Sequence, residues 1–463
     1  MSELGPQTLE QIAAALPGAE VAVEVTAHEM ALTRFAESVI HQNVAEELTT
    51  VRVVVHHEGR TASTSATVAG ATDLPGLVTR IAATVAVAPT DAGWPGLAPS
   101  AATGESATPD PVTAAASPSD RAEVVAAFVD GVEGLESAGY CRTAFRRVAF
   151  LNSAGQAVRG EAAECGLAGV ARAPLDSGDG MADGVARVMP ARLADIDGRA
   201  MGARAAAKAR AWTDPVELDP GRYEVVLEPD AVSDLLGNLA AWAFNGRMVT
   251  ERRSFVELGA DQLDAALTIV DDPVAVSLGF DGEGTPSARR TLLEAGRPVA
   301  VAHDRRTAAE AGVESTGHSV VGWLGGGAMA RHLAIDPSGE GEPADEVAGP
   351  ICDSSTAELV AQVERGILVS DFWYTRVLDS RKLVLTGLTR NGVWLVEDGQ
   401  VTAPVRNFRF TQSYAEALAP GRVLGVGSTS TPIPGDTYTT TSPRFGCPAL
   451  RLASWNFTGG ASG

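Results

Sequence analysis

The sequence predicts an α+β fold: an N-terminal α/β-type domain with a mostly antiparallel sheet and flanking helices, then a β-rich C-terminal domain. Three observations predict it. Val- and Thr-rich segments with partial alternation fill the beginning of the chain, as half-buried strands require. Tight hairpin dipeptides, Glu58-Gly59 and Asp398-Gly399, separate such segments in both halves. Helical spacing of apolar residues is confined to a few separate stretches. At 463 residues the chain exceeds one ordinary core, so two domains are expected, 1–214 and 215–463, meeting at Asp214-Pro215.

In order along the chain, segments 19–25, 30–35, 48–57 and 60–68 read as a β-meander. A helix follows, with Asp73 as N-cap and Leu77, Val78, Ile81, Ala82 and Val85 on one face. From about 89 to 118 the composition is Pro, Ala, Ser and Thr, too poor in large apolar groups to order itself, and reads as a flexible excursion. Asp120 and Glu123 form a capping-box pattern ahead of Val124, Val125, Phe128, Val132 and Leu135. Segments 141–152 and 158–173 read as two more strands of the first sheet, and an alanine-rich helix runs from about 192 to 212. The second half opens with strand 222–229 and a helix from about Asp230, with Val232, Leu235, Leu236, Leu239 and Ala243 at helical spacing. Ser355 and Glu358 mark one further helix. Strands 393–397 and 400–405 flank Asp398-Gly399. Antiparallel β with few helices is the reading of this half.

Charge and composition exclude several classes. The balance of 36 basic and 58 acidic residues gives a net charge of −22, which repels phosphate backbones and opposes direct nucleic-acid binding. No apolar run approaches the ~18 residues of a membrane span. The acidic N-terminus lacks the basic and apolar regions of a secretory signal, so a cytoplasmic location is expected. Cys141, Cys165, Cys352 and Cys447 form no close pair, as in a reducing compartment.

Motifs with chemistry are mostly missing. Lysine occurs only at Lys208 and Lys382, neither in a phosphate-binding loop. Ser315 in GVESTG has the wrong spacing for a nucleophile elbow. Gly325-Gly326-Gly327 and Gly425-x-Gly427 lack the third glycine of a dinucleotide fingerprint and read as turns. His28-Glu29 and His57-Glu58 are the His-Glu pairs, and neither has a second histidine one turn later, as a zinc peptidase helix needs. His303, His318 and His332 could converge only through folding, and isolated loop or core histidines are the expectation. Cys447 reads as a buried small hydrophobe. Cys352, just before a helix cap, invites a lowered thiol pKa, though a structural role is favoured. Asp271-Asp272 and the pair Asp281 and Glu283 could do acid-base work, but in loops this rich in Gly and Pro they are expected to satisfy turn backbone.

Several segments together resemble the TldD/PmbA family, once described as modulators of DNA gyrase. LTRFAESVIHQN (32–43) resembles its R-F-A…I-H-Q-N signature. TIVDDP (268–273), GFDGEGTPSARRTLLEAG (279–296), His303-Asp304, STGH (315–318), ELVAQVERGILV (358–369) and VEDGQVTAPV (396–405) follow in the family's order. The resemblance covers nearly the whole chain, with 89–118 as the main departure. It marks Arg34, Asp281, Glu283 and His318 as loop or chamber candidates.

The family comprises TldD-like chains, whose H-E-x-x-x-H helix and later cysteine hold zinc, and TldE-like chains that lack that site. The corresponding helix here, 231–247, contains no histidine, and Cys447 lacks the TldD-type Cys-Gly-Lys context. The resemblance therefore implies a TldE/PmbA-like subunit with no catalytic or metal-binding residues of its own. Zinc would come from a TldD-like partner, and the substrates would be unfolded peptides, modified peptides or natural-product amides. The alternatives are an independent hydrolase built on His303, His318 or the acidic loop, a gyrase-type regulatory binding protein, and a homodimer that keeps only the family's shape.

Overall fold

The computed structural model describes residues 3–274, 278–320, 327–338, 351–435 and 443–460. Helix α1 (Leu4–Ala15) precedes β1 (Glu20–Ala36), β2 (Val39–His57) and β3 (Arg60–Thr67). Segments 19–25 and 30–35, expected as two strands, are the two ends of β1. Alternation weakens between them, but the β1–β2 ladder runs unbroken from Glu20↔His56 to Arg34↔Gln42. The RFA and IHQN motifs therefore lie on the two arms of one hairpin, with Glu37 and Ser38 at φ 51° and 61° in its turn. Glu58 and Gly59 turn the next hairpin at φ 49° and 73°, the left-handed pair a two-residue loop requires.

Helix α2 (Leu74–Val87) buries Leu74, Leu77, Ile81 and Val85. Asp73 precedes it without capping it: its carboxylate accepts from Ala69 and Gly70 N–H in the preceding turn. Segment 89–118 has little regular structure beyond α3 (Pro111–Ala114), yet it is pinned along its length. Trp94 stacks on His56 at 5.0 Å, Asp91 pairs with Arg306, and Gly104 N–H donates to Gly279 C=O. The capping box of α4 (Pro118–Val132) belongs to Ser117 and Asp120, three residues ahead of the expected pair, because Pro118 fixes the first helical position.

Strands β4 (Glu136–Asn152), β5 (Ala157–Pro174) and β6 (Met181–Val188) complete a six-stranded sheet ordered β3-β2-β1-β4-β5-β6, antiparallel throughout. Helix α5 (Gly198–Ala211) is shorter than expected because Asp197 caps it. It crosses α4 closely: a Cβ at Gly131 or Gly202 would stand 2.2 or 2.1 Å from backbone oxygens of the facing helix. The side chains alternate across the sheet. Val21, Val23, Val25, Phe35, Cys141 and Leu167 pack under the helices. Glu24, Thr26, His28, Arg34 and Arg146 face the other way.

The second half builds two further sheets. Strands β7 (Gly221–Leu227), β12 (Arg365–Asp379), β13 (Val384–Glu397), β14 (Gln400–Pro404), β15 (Phe408–Ser413) and β19 (Leu450–Gly460) run β12-β7-β19-β15-β13-β14. Because β12 also pairs with β13, five of them close on themselves, and β16 (Val423–Val426) joins β19. Strands β8 (Ile269–Asp271), β9 (Arg290–Glu294), β10 (Arg297–Pro298), β11 (Leu333–Ile335), β17 (Thr431–Pro434) and β18 (Arg444–Cys447) form the order β10-β9-β8-β11-β18-β17. β7–β12 and β11–β18 are parallel, a departure from the antiparallel reading.

Among the described residues the α-helices of this half are α6 (Pro229–Asn238), which a π-helical turn at Leu239–Ala243 continues, α7 (Gly246–Thr250), α8 (Arg305–Ala311), α9 (Ser354–Val360) and α10 (Tyr414–Ala417). Asp353 caps α9 by accepting from Thr356 N–H, not the expected Ser355. Gly325 and Gly326 lie outside the described residues. One apolar core joins α6 to both sheets through Leu235, Leu236, Phe372, Phe410, Phe445 and Trp455. The α+β class expected from the sequence, with a β-rich second half, is the class observed. Among the described residues no helix is long and apolar enough to cross a membrane.

Candidate functional site

The exposed face of the N-terminal sheet and the second half enclose an open cavity of about 1620 Å³. Helix α6 supplies one wall. Its apolar positions face the core, and Asp230, Ser233, Asp234 and Asn238 line the cavity. Asp234 is held on both oxygens: Tyr414 Oη donates to Oδ2 at 2.5 Å and Thr375 Oγ1 to Oδ1 at 2.7 Å. Burial pushes its pKa up to about 6, against those hydrogen bonds. Burial likewise lifts Asp230 to about 6, opposed by Arg187.

Arg187 ties the halves together. From β6 it reaches Asp230 on α6 at 3.2 Å and Asp371 on β12 at 2.6 Å. Asn391 donates to the same Asp371 oxygen at 2.8 Å. Nearby, Lys208 of α5 meets Glu228 at 2.8 Å with both side chains almost fully buried, and Ser370 also donates to Glu228. Buried charges are retained when paired, and here both pairs cross between the two halves.

Three of the four residues marked by the sequence line this cavity, namely Arg34, Asp281 and His318; Glu283 lies behind the wall. Arg34 projects near the β1–β2 turn and donates to Gln42 at 3.3 Å. Asp281 accepts from the backbone N–H groups of Glu283, Thr285 and Ser319, each at 2.9 Å. Glu283 accepts from Arg305 N–H at 2.9 Å, at the start of α8. The two carboxyls thus hold turns, and burial raises them to about 6 and about 7, with Asp281 adding to the rise at Glu283.

The distant histidines do converge, around Thr316 and Asp271. His318 Nε2 meets Asp271 Oδ2 at 3.0 Å and its Nδ1 meets Thr316 Oγ1 at 2.8 Å. Thr316 Oγ1 also bonds the backbone of His303, and His332 N–H donates to Asp271 Oδ1 at 2.9 Å. Both ring nitrogens of His318 are therefore engaged within the chain, which leaves no lone pair aimed at a substrate.

The zinc helix implied by the resemblance can be tested on these contacts. No histidine lies anywhere from Ala231 to Arg247, and both oxygens of Asp234, a carboxylate that α6 presents to the cavity, are bonded within the chain. Cys447 is fully buried and burial raises its thiol pKa; it does not line the cavity. Among the described residues no group of three or more His, Cys, Asp or Glu is arranged to hold a metal ion. The residues present do not fit zinc. Cys352 is buried too, and burial pushes its thiol up to about 12, contrary to the lowered value its place before a helix invited.

Sequence reasoning missed Asp230, Asp234, Asn238, Arg187 and Asp371. A signal existed for the first three, since polar residues every fourth position on an apolar helix mark a second face. Arg187 and Asp371 are 184 residues apart and carry no local signal.

The whole architecture recurs in solved structures at low sequence identity. TldE from Thermococcus kodakarensis superposes with TM-score 0.81 at 18% identity, over 98% of this chain and 99% of that one. Proteins named modulators of DNA gyrase superpose similarly. The one from Thermotoga maritima gives TM-score 0.77 at 17% identity, over 99% and 100% of the two chains. The one from Bacteroides thetaiotaomicron gives 0.79 at 17%, over 99% and 98%. Among curated proteins none matches. The family model described as PmbA/TldA metallopeptidase C-terminal domain matches residues 220–459, more than half of the sequence, and the chain belongs to the PmbA/TldD family.

Proposed function

We propose that this chain is the TldE/PmbA-like, non-metal subunit of a heterodimeric TldD/TldE-type zinc metallopeptidase acting on unfolded or modified peptides or on natural-product amides. The observation that carries the reading is the cavity face of α6. It presents Ser233, Asp234 and Asn238 and no histidine, with Asp234 committed to Tyr414 and Thr375. In this reading zinc and the general base belong to the TldD-like partner. This chain walls the chamber, and its rim admits extended substrate in preference to folded protein. A strand edge supports that role. β2 pairs with β3 only from Thr50 onward, so among the described residues Val39–Leu48 presents one unpaired backbone edge, with His41 and Leu48 on the cavity wall. Extended peptides bind such edges through backbone hydrogen bonds.

The test is co-expression with an H-E-x-x-x-H relative from the same genome. The expected result is a stable complex containing zinc that cleaves an unstructured peptide, while this chain alone neither retains zinc nor cleaves. Zinc-dependent peptidase activity from the isolated chain, or two chains that never associate, would overturn the proposal.

A further inference from the structure

Two residues of β12 are fixed to the cavity wall, and a third between them is not. Asp371 Oδ2 accepts from Arg187 at 2.6 Å and from Asn391 at 2.8 Å. Thr375 Oγ1 donates to Asp234 on α6 at 2.7 Å. Trp373 lies between these anchors and lines the cavity, 49% exposed. Among the described tryptophans it alone is exposed. Trp394 and Trp455 are buried, while Trp94 and Trp212 donate their indole N–H to Glu20 and to the Val405 C=O.

Two features hold the ring in place. Arg390 of β13, opposite Asp371 in the ladder, lies over the indole with its guanidinium carbon 4.7 Å from the ring centroid. The ladder then breaks. Trp373 pairs with Leu388 and Arg376 with Thr386, so Tyr374 and Thr375 stand against Gly387 alone. Such bulges re-aim side chains beside binding sites. Tyr374 within it has φ 56°, a strained conformation for a bulky residue. A half-exposed indole forfeits apolar burial, and packing within the chain accounts for neither that loss nor the strain. On the wall of a cavity such a ring is a contact for what the cavity holds.

We infer that Trp373 is the platform on which the cavity stacks an aromatic side chain of a bound peptide, using the ring surface that Arg390 does not cover. The inference rests on the reading of the cavity as a peptide chamber and names the side chains it selects. Arg390 opposes the other common occupant of an indole face, a cation. Lysine or arginine there would bring a second positive charge to a ring that already carries one. An aliphatic side chain would cover similar area without the quadrupole match of two rings. Phe, Tyr and Trp are therefore the side chains favoured.

The experiment is calorimetric titration of the isolated full chain with three peptides of one neutral, unstructured sequence. They differ at a single central residue, which is Phe, cyclohexylalanine or Lys. Cyclohexylalanine matches Phe in bulk and lacks its π-system. The expected order is Phe tightest, cyclohexylalanine about two- to tenfold weaker, and Lys weakest. In W373L the Phe and cyclohexylalanine peptides should bind alike, while W373F keeps part of the difference. If W373L does not fold, W373M and the three peptides on the natural chain still decide. Equal affinity for Phe and cyclohexylalanine, Lys binding as tightly as Phe, or binding of none overturns the inference. A preference that survives in W373L overturns it too; if that variant also fails to associate with an H-E-x-x-x-H relative, the ring is a contact between subunits instead. A cleaving complex without aromatic preference removes this inference alone. An aromatic preference without partner-dependent cleavage removes only the subunit reading.

Discussion

Tyr414 donates its phenolic hydrogen to Asp234 at 2.5 Å, joining α10 at the end of β15 to the helix on the cavity wall. Tyr414 is buried and Asp234 half-buried, and the bond favours the ionised carboxyl that desolvation disfavours. In Y414F that bond is gone. The expected loss is ~1.5–3 kcal/mol where Asp234 is ionised, and less where it is protonated. Since Asp234 titrates near 6, urea midpoints at pH 8 should fall further than those at pH 5. Equal losses at the two pH values would show that Tyr414 matters only for packing.

Arg187 is the cation that reaches from the first half to Asp230 and Asp371 of the second, and its loss leaves two buried carboxylates without the charge that bridges them. R187M should cost ~3–5 kcal/mol, and the added D371N should restore part of it. A double-mutant cycle on denaturation midpoints measures the coupling. Strict additivity of the two changes would mean that the pair carries no interaction energy.

Much of this fold was legible because local chemistry agrees with it. Glu58-Gly59 and Asp398-Gly399 are hairpin turns because both residues of each adopt positive φ, and Leu77, Ile81 and Val85 are buried on α2 because they share a face. What was illegible depends on partners far away in sequence. Segment 89–118 reads as disordered by composition, but its order comes from Arg306, His56, Asn152 and Gly279, none of which lies in it. The same is true of the site. Arg34, Asp281 and His318 could be marked by motif, whereas the Trp373–Arg390 and Arg187–Asp371 contacts arise from sheet register and domain packing.

That anchoring makes its own prediction. Arg306 holds Asp91 through two hydrogen bonds, at 3.0 and 2.7 Å, and its hydrogen bond lowers Asp91 to about 2. R306A should release the start of the 89–118 segment and admit protease there, with the fragments located by mass spectrometry. Cleavage at the same rate in both proteins would mean that Trp94 and the backbone contacts suffice.

All four thiols are buried, and burial raises each: Cys141, Cys165 and Cys352 to about 12, and Cys447 well above its ordinary value. Thiolate is the reactive form. The native chain at pH 8 should therefore give no fast reaction with a thiol-specific chromogenic disulfide, and the unfolded chain should give four equivalents. A fast native equivalent, traced by peptide mapping, would identify a thiol whose surroundings open in solution.

Glu283 makes the clearest pH prediction. Burial and the neighbouring Asp281 raise it from 4.5 to about 7, so the folded chain holds this proton more tightly than the unfolded one. The stability it contributes is fully present below pH 4.5 and is lost as pH rises through 7. E283Q keeps a neutral group that can still accept from Arg305 N–H, so it should match the natural chain at pH 4.5 and exceed it at pH 8 by ~1–3 kcal/mol. His332 works in the opposite direction. Burial holds it neutral down to about 3, so it removes stability from both proteins as pH falls below 6.5. That contribution cancels when E283Q is subtracted from the natural chain. Asp281, raised to about 6, retains part of the slope in the variant and titrates lower once its charged neighbour is gone. Unfolding free energies measured every half pH unit from 4.5 to 8 should show the difference opening between about 5 and 7. A constant difference across that range would mean that Glu283 is already ionised in the folded chain at pH 5, and that Arg305 and the α8 N-terminus outweigh its burial.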